Sequence, residues 1–129
     1  MWRPFSPWII LALACGSASP ALADWRVPEK GSAERSEIMD ALRAKMATFD
    51  PANRGLIFVV QELCVSDKSG WISAEPRSRD GQSQFEPIQA VLTRRSAAWS
   101  VGQIACGEEE CAKGTDAEAL RRKVAPRCR

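Results

Sequence analysis

The sequence predicts an α+β domain: one helix, then a four-stranded antiparallel meander, then a short C-terminal helix. Apolar residues recur at helical spacing between Ser32 and Phe49. The pattern then switches to β-branched and aromatic runs from Gly55 to Ala105, broken by turn residues. Thr115-Asp116-Ala117-Glu118 opens a last helix before Pro126. In the expected roll, the first helix covers one face of the sheet.

The first 23 residues read as a cleavable signal peptide. Arg3 supplies the positive start, and Trp8 to Cys15 form an apolar run well short of the ~20 residues a membrane-spanning helix needs. Pro20 breaks that run, and Ala21-Leu22-Ala23 has the small-x-small pattern of a cleavage site. A buried helix or a membrane anchor is the competing reading of this segment. A further alternative keeps export but attaches lipid at Cys15, before Gly16 and Ser17, although Ala12 stands where a lipoprotein signal usually has Leu. Cleavage after Ala23 places the working chain in the periplasm or outside the cell, with no later membrane-spanning segment.

Residues 24–31 form an extended lead-in carrying Pro28 and Gly31, with Trp25 folded back onto the domain. Residues 32–129 make a single α+β domain, since 106 residues after cleavage are enough for one core and too few for two. Ser32 is the expected N-cap, and Glu34 and Glu37 sit where negative charge meets the helix dipole favourably. Ile38, Leu42 and Met46 recur every fourth residue, flanked by Met39, Ala41 and Phe49, and Asp50-Pro51 ends the helix. Leu56 to Val65 reads as a strand, Ser66 to Gly70 as a turn and Trp71 to Ala74 as the partner strand, ended by Glu75-Pro76. After a polar loop, Ile88 to Arg94 and Trp99 to Ala105 form a second hairpin. Its turn, Ser96-Ala97-Ala98, lacks Gly, Asn or Pro. The last helix runs from the capping box to about Lys123.

Four cysteines follow the leader: Cys64, Cys106, Cys111 and Cys128. In a small exported domain they read as two disulfides, for which three pairings exist. The simplest joins Cys106 to Cys111 locally and Cys64 to Cys128 over a long loop. A four-cysteine metal site would need tighter pairs than C-x4-C, so neither metal nor cofactor is expected.

The chain contains no His and no Tyr. Ser-His-Asp and Cys-His nucleophile pairs, His-bearing zinc sites and Tyr nucleophiles are therefore excluded. Thiol-redox chemistry of the C-x-x-C type is excluded too, because that motif does not occur. The formal charge of +2, or +1 without Arg3, builds no field for nucleic acid. Carboxylates could still support catalysis: Glu62, Glu75 and Glu86 lie on or near strand ends, where solvent-facing charges are the plainer reading, and Ser/Lys catalysis has no S-x-x-K in a suitable context.

Three features invite a binding role. Glu108, Glu109 and Glu110 form an acidic knuckle between Cys106 and Cys111. Arg121, Arg122 and Lys123, with Arg127 and Arg129, make a basic end suited to anionic envelope polymers or headgroups. Trp71 and Trp99 each begin a strand, where they serve as an aromatic surface or as core beneath the first helix.

Arg35-Ser-Glu-Ile-Met-Asp-Ala-Leu-Arg43, Phe58-Val-Val-Gln-Glu-Leu63, Gly70-Trp71, Leu92-Thr-Arg94 and Trp99-Ser-Val101 together carry a resemblance. The chain resembles a group of small exported Gram-negative bacterial proteins with an R-x-x-I/L-x-D-A-L-R helix, an F-V-V strand, a G-W strand and an L-x-R…W-x-V hairpin. The resemblance spans residues 33–103, and the cysteine-bearing end departs from it. The group has no assigned activity, so the resemblance implies an exported scaffold without assigning any catalytic residue. The expectation is a non-catalytic binding or accessory protein with a protein or envelope partner, such as an inhibitor or immunity-type subunit. The alternative is a small-ligand carrier with a pocket lined by Ile38, Leu42, Phe58 and Trp71; a carboxylate hydrolase ranks behind both.

Overall fold

Ser32 starts the first helix as expected: its extended backbone leaves Oγ free to accept from the Arg35 N–H at 3.2 Å. The computed structural model describes residues 16, 25–105, 114–126 and 128, so the leader, apart from Gly16, lies outside the described residues. Helix α1 runs over Ala33–Ala47 and buries Ile38 and Leu42 completely, with Met39 and Met46 at the margin of the same core. Phe49 was expected in that stripe but is 68% exposed, because the helix ends before it. Asp50-Pro51 opens a single 3-10 turn, Pro51–Gly55, capped by Asp50 Oδ1 accepting from the Ala52 N–H at 2.9 Å.

The four strands are β1 (Ile57–Val65), β2 (Ser69–Arg77), β3 (Ile88–Arg95) and β4 (Ala98–Ile104). They pair in sequence order as an antiparallel meander. Gly70 faces Val65 across the first hairpin, where an added Cβ would sit 2.6 Å from Val65 Cγ1. Only glycine allows that approach.

Glu75-Pro76 does not end the second strand, as the sequence reading had it; β2 continues to Arg77. The carbonyl of Pro76 accepts from the Phe85 N–H at 3.1 Å on the β3 side. Its ring nitrogen points the same way, beyond the last β2–β3 pair at Ala74–Ile88, so the β1 ladder asks nothing of it. The second hairpin turns on two residues rather than three. Ser96 and Ala97 both take positive φ, 50° and 65°, and Ala98 belongs to β4.

A bulge in β1 decides which side chains face where. Val60 pairs with Ala74 and Glu62 with Ser73, leaving Gln61 as an extra residue. Below it Phe58 and Val60 lie on the α1 face; above it Leu63 and Val65 do. Cys64 is thereby turned to the opposite face.

That opposite face carries the second helix, α2 (Ala117–Val124). Its N-cap is Asp116, whose Oδ1 accepts from the Ala119 N–H at 3.0 Å, rather than Thr115 as the capping-box reading had it. Glu118 pairs instead with Arg122 one turn on. Leu120, Ala125, Trp71 and the disulfide Cys64–Cys128 form a small core there, with Trp25 packed against it. Trp71 therefore lies beneath α2, not α1; Trp99 alone of the two joins the α1 core. Both faces of the sheet are covered, where the sequence led us to expect a helix on one.

Candidate functional site

The two edges of the sheet are finished differently. At the β4 edge, α1 supplies the closing groups: the Trp99 N–H donates to Glu37 Oε1 at 3.0 Å, and Trp99 Nε1 donates to Glu34 Oε2 at 3.4 Å. Glu34 also receives two bonds from Arg26, at 3.1 and 2.8 Å, and stands 3.7 Å from Arg94. The Arg26 hydrogen bonds, followed by that of Trp99 and the charges of Arg26 and Arg94, outweigh partial burial and hold the Glu34 carboxyl below the usual carboxylate range. Arg94 lies over the Trp99 ring at 5.7 Å.

At the β1 edge, among the described residues, backbone pairing closes only the upper end. Arg26 and Val65 exchange both backbone hydrogen bonds at 2.8 Å. Followed down the strand through the bulge, the alternation turns the N–H and C=O of Leu63, Val60 and Phe58 outward, Leu63 being buried and the other two half-buried. Among the described residues no hydrogen bond occupies them.

Apolar side chains crowd that open stretch. Ile57 and Val59 are each 40% exposed on the α2 side, beyond the reach of the short helix. On the α1 side, Phe58 and Val60 are half-buried and, with Met39, floor an open groove of about 360 Å³. Lys30, Gly31, Ser32, Arg35 and Ser36 line the rest of the groove. Arg35 is held there by donating to the Pro28 carbonyl at 3.1 Å, and the Arg43 guanidinium lies 5.8 Å from the Phe58 ring centre. A second open groove, about 470 Å³, lies between the 3-10 turn and Ser78-Arg79, beside Leu56 and Phe85.

The residues singled out from the sequence fall in several places. Cys64 and Cys128 are buried and joined, with Cα atoms 5.8 Å apart. Cys106, Cys111, Glu108, Glu109 and Glu110 lie outside the described residues, as do Arg127 and Arg129. Arg121 turns inward, donating to Glu62 Oε1 at 2.5 Å and to the Cys128 carbonyl at 2.6 Å. Arg122 is exposed and paired with Glu118, and Lys123 is exposed. Glu75 is bound by Arg77 at 2.9 Å, and Glu86 lies in the exposed loop before β3. The carboxylates Glu62 and Glu75 are thus each tied to an arginine. Among the described residues no cluster of three His, Cys, Asp or Glu is placed to hold a metal ion.

The four residues expected to line a carrier pocket are not brought together. Ile38 and Leu42 are solid core, Phe58 borders the groove, and Trp71 is on the other face. Sequence reasoning missed the open β1 edge. Its signal was present: Ile57-Phe58-Val59-Val60 is an unbroken apolar run, whereas a strand with one wet face alternates. No protein-family model, curated protein or solved structure matches the chain.

Proposed function

We propose that this chain is a non-catalytic binding or accessory protein of the cell envelope, with another protein as its partner. One observation carries the reading: a four-residue apolar run, Ile57 to Val60, lies beside an open groove on a sheet edge that is unpaired among the described residues. A sheet edge with free backbone groups and exposed apolar side chains is a template for another chain. The absence of His and Tyr removes the commonest proton-transfer and nucleophilic machinery. Export is supported by the leader-like N-terminus and by the Cys64–Cys128 bond, which persists in an oxidising compartment. No helix among the described residues is long and apolar enough to cross a membrane. Resemblance to small exported Gram-negative proteins accords with this reading.

Native purification of the tagged full chain from envelope extracts tests it. A stoichiometric protein partner is the expected result; repeated recovery of the chain alone overturns the reading. The groove of about 360 Å³ favours a second reading, a small-ligand carrier. Native mass spectrometry decides between them, since a carrier retains a small molecule and a protein-binding subunit does not.

A further inference from the structure

We propose that the outer edge of β1 accepts an extended segment of a partner protein as an added strand, and that this segment alternates glutamate with apolar residues. The inference rests on the binding-protein reading above and specifies the partner's form.

The edge is competent for addition because the chain already uses its upper end that way. Arg26 docks antiparallel on Val65 through both backbone groups. Below that point Leu63 is buried, and Val60 and Phe58 point two donors and two acceptors outward. Proteins commonly blunt such edges with lysine, proline or an inward charge, and Ile57 to Val60 contain none of these. The bulge at Gln61 twists the upper strand and leaves the lower four residues as a plain edge.

Charge selects the occupant. Among the described residues Lys30 and Arg35, on the groove rim, have no carboxylate partner; Glu29, the neighbouring acid, pairs with neither. A second copy docking edge to edge would bring these cations towards their own images. An acidic segment would meet them with opposite charge. The added strand must also alternate, since its side chains point to the two faces in turn. Those on the α1 side pass over Phe58, Val60 and Met39 before reaching the cations. Glutamate fits that path, with methylenes on the apolar floor and a carboxylate at the rim. Those on the other side meet Ile57 and Val59 and must be apolar.

The probe is a synthetic peptide alternating Glu with Val, compared with a Lys-for-Glu peptide, titrated into the full disulfide-bonded chain up to about 1 mM. The Glu peptide should slow amide exchange at Phe58 and Val60. Lys30→Glu, an exposed change that leaves the core intact, should weaken it about three- to tenfold and improve the Lys peptide. Val59→Lys should weaken both peptides. Unchanged exchange at those amides, or equal binding of the two peptides, overturns the proposal. So does a concentration-dependent dimer dissolved by Val59→Lys, which would put a second copy on the edge. A native partner that Val59→Lys and Lys30→Glu both retain would overturn this assignment while leaving the binding-protein reading intact; recovery of no partner at all would remove that reading itself.

Discussion

The two faces of the sheet are held by different means. On one, the 15-residue helix α1 buries Ile38 and Leu42 against strands β1 to β4, and Glu34 and Glu37 latch it to Trp99. On the other, the eight-residue α2 buries only Leu120. A helix of two turns has too little apolar area and too few internal hydrogen bonds to hold itself in place. It is pinned instead by the Cys64–Cys128 bond, by Arg121 on Glu62 and by Arg121 on the Cys128 carbonyl. Where burial is small, a covalent tie and a two-partner arginine replace it.

The largest effect is expected from breaking the covalent side. Closing a loop of 64-residue separation stabilises by about 4 kcal/mol in the chain-entropy account. Cys64→Ser with Cys128→Ser should lower stability by that order in urea titration. It should also expose Trp71, shifting Trp emission to the red, while α1 amides keep their protection from exchange. Loss of α1 protection in step with α2 would show the faces to be one cooperative unit.

Leu42→Ala addresses the other side. It empties a fully buried site and should cost about 3 kcal/mol, with a single transition and no preferential release of α2. Glu34→Gln weakens the α1 latch by about 1–2 kcal/mol at neutral pH. Because its folded carboxyl lies below the ordinary range, Glu34 stabilises above its unfolded pKa. That contribution is lost as pH falls through the lower folded value. Thermal melts from pH 6 downward, over about four pH units, should therefore fall less steeply in Glu34→Gln than in the parent.

The smallest change touches neither face. Ser96 and Ala97 adopt left-handed backbone that Asn-Gly adopts at lower cost. Replacing the pair, Ser96→Asn with Ala97→Gly, should raise stability by about 1 kcal/mol, because the strain relieved exceeds the chain entropy glycine adds. An unchanged or lowered midpoint would mean that this turn is not strained.

Much of the fold was legible because its signals are local. Ser32 with the four-residue spacing of Ile38, Leu42 and Met46 marks α1, and the apolar runs mark the strands, since caps and periodicity act within a few residues. Pro76 misled because its effect depends on which side of β2 is paired, not on the dipeptide itself. Thr115 misled because Asp116, its neighbour, has the same capping chemistry. The open β1 edge was hard to read because an edge is defined by what fails to arrive beside it.

By itself the sequence determined the order of elements, the long-range disulfide as one of three pairings, and the exclusion of histidine- and tyrosine-based chemistry. Only the tertiary structure decided the facing of each residue. Without the extra residue at Gln61, Cys64 would share the parity of Phe58 and Val60, on the α1 face and away from Cys128. Whether a strand absorbs such a residue depends on its partner's register, which is set by the packing of both faces together.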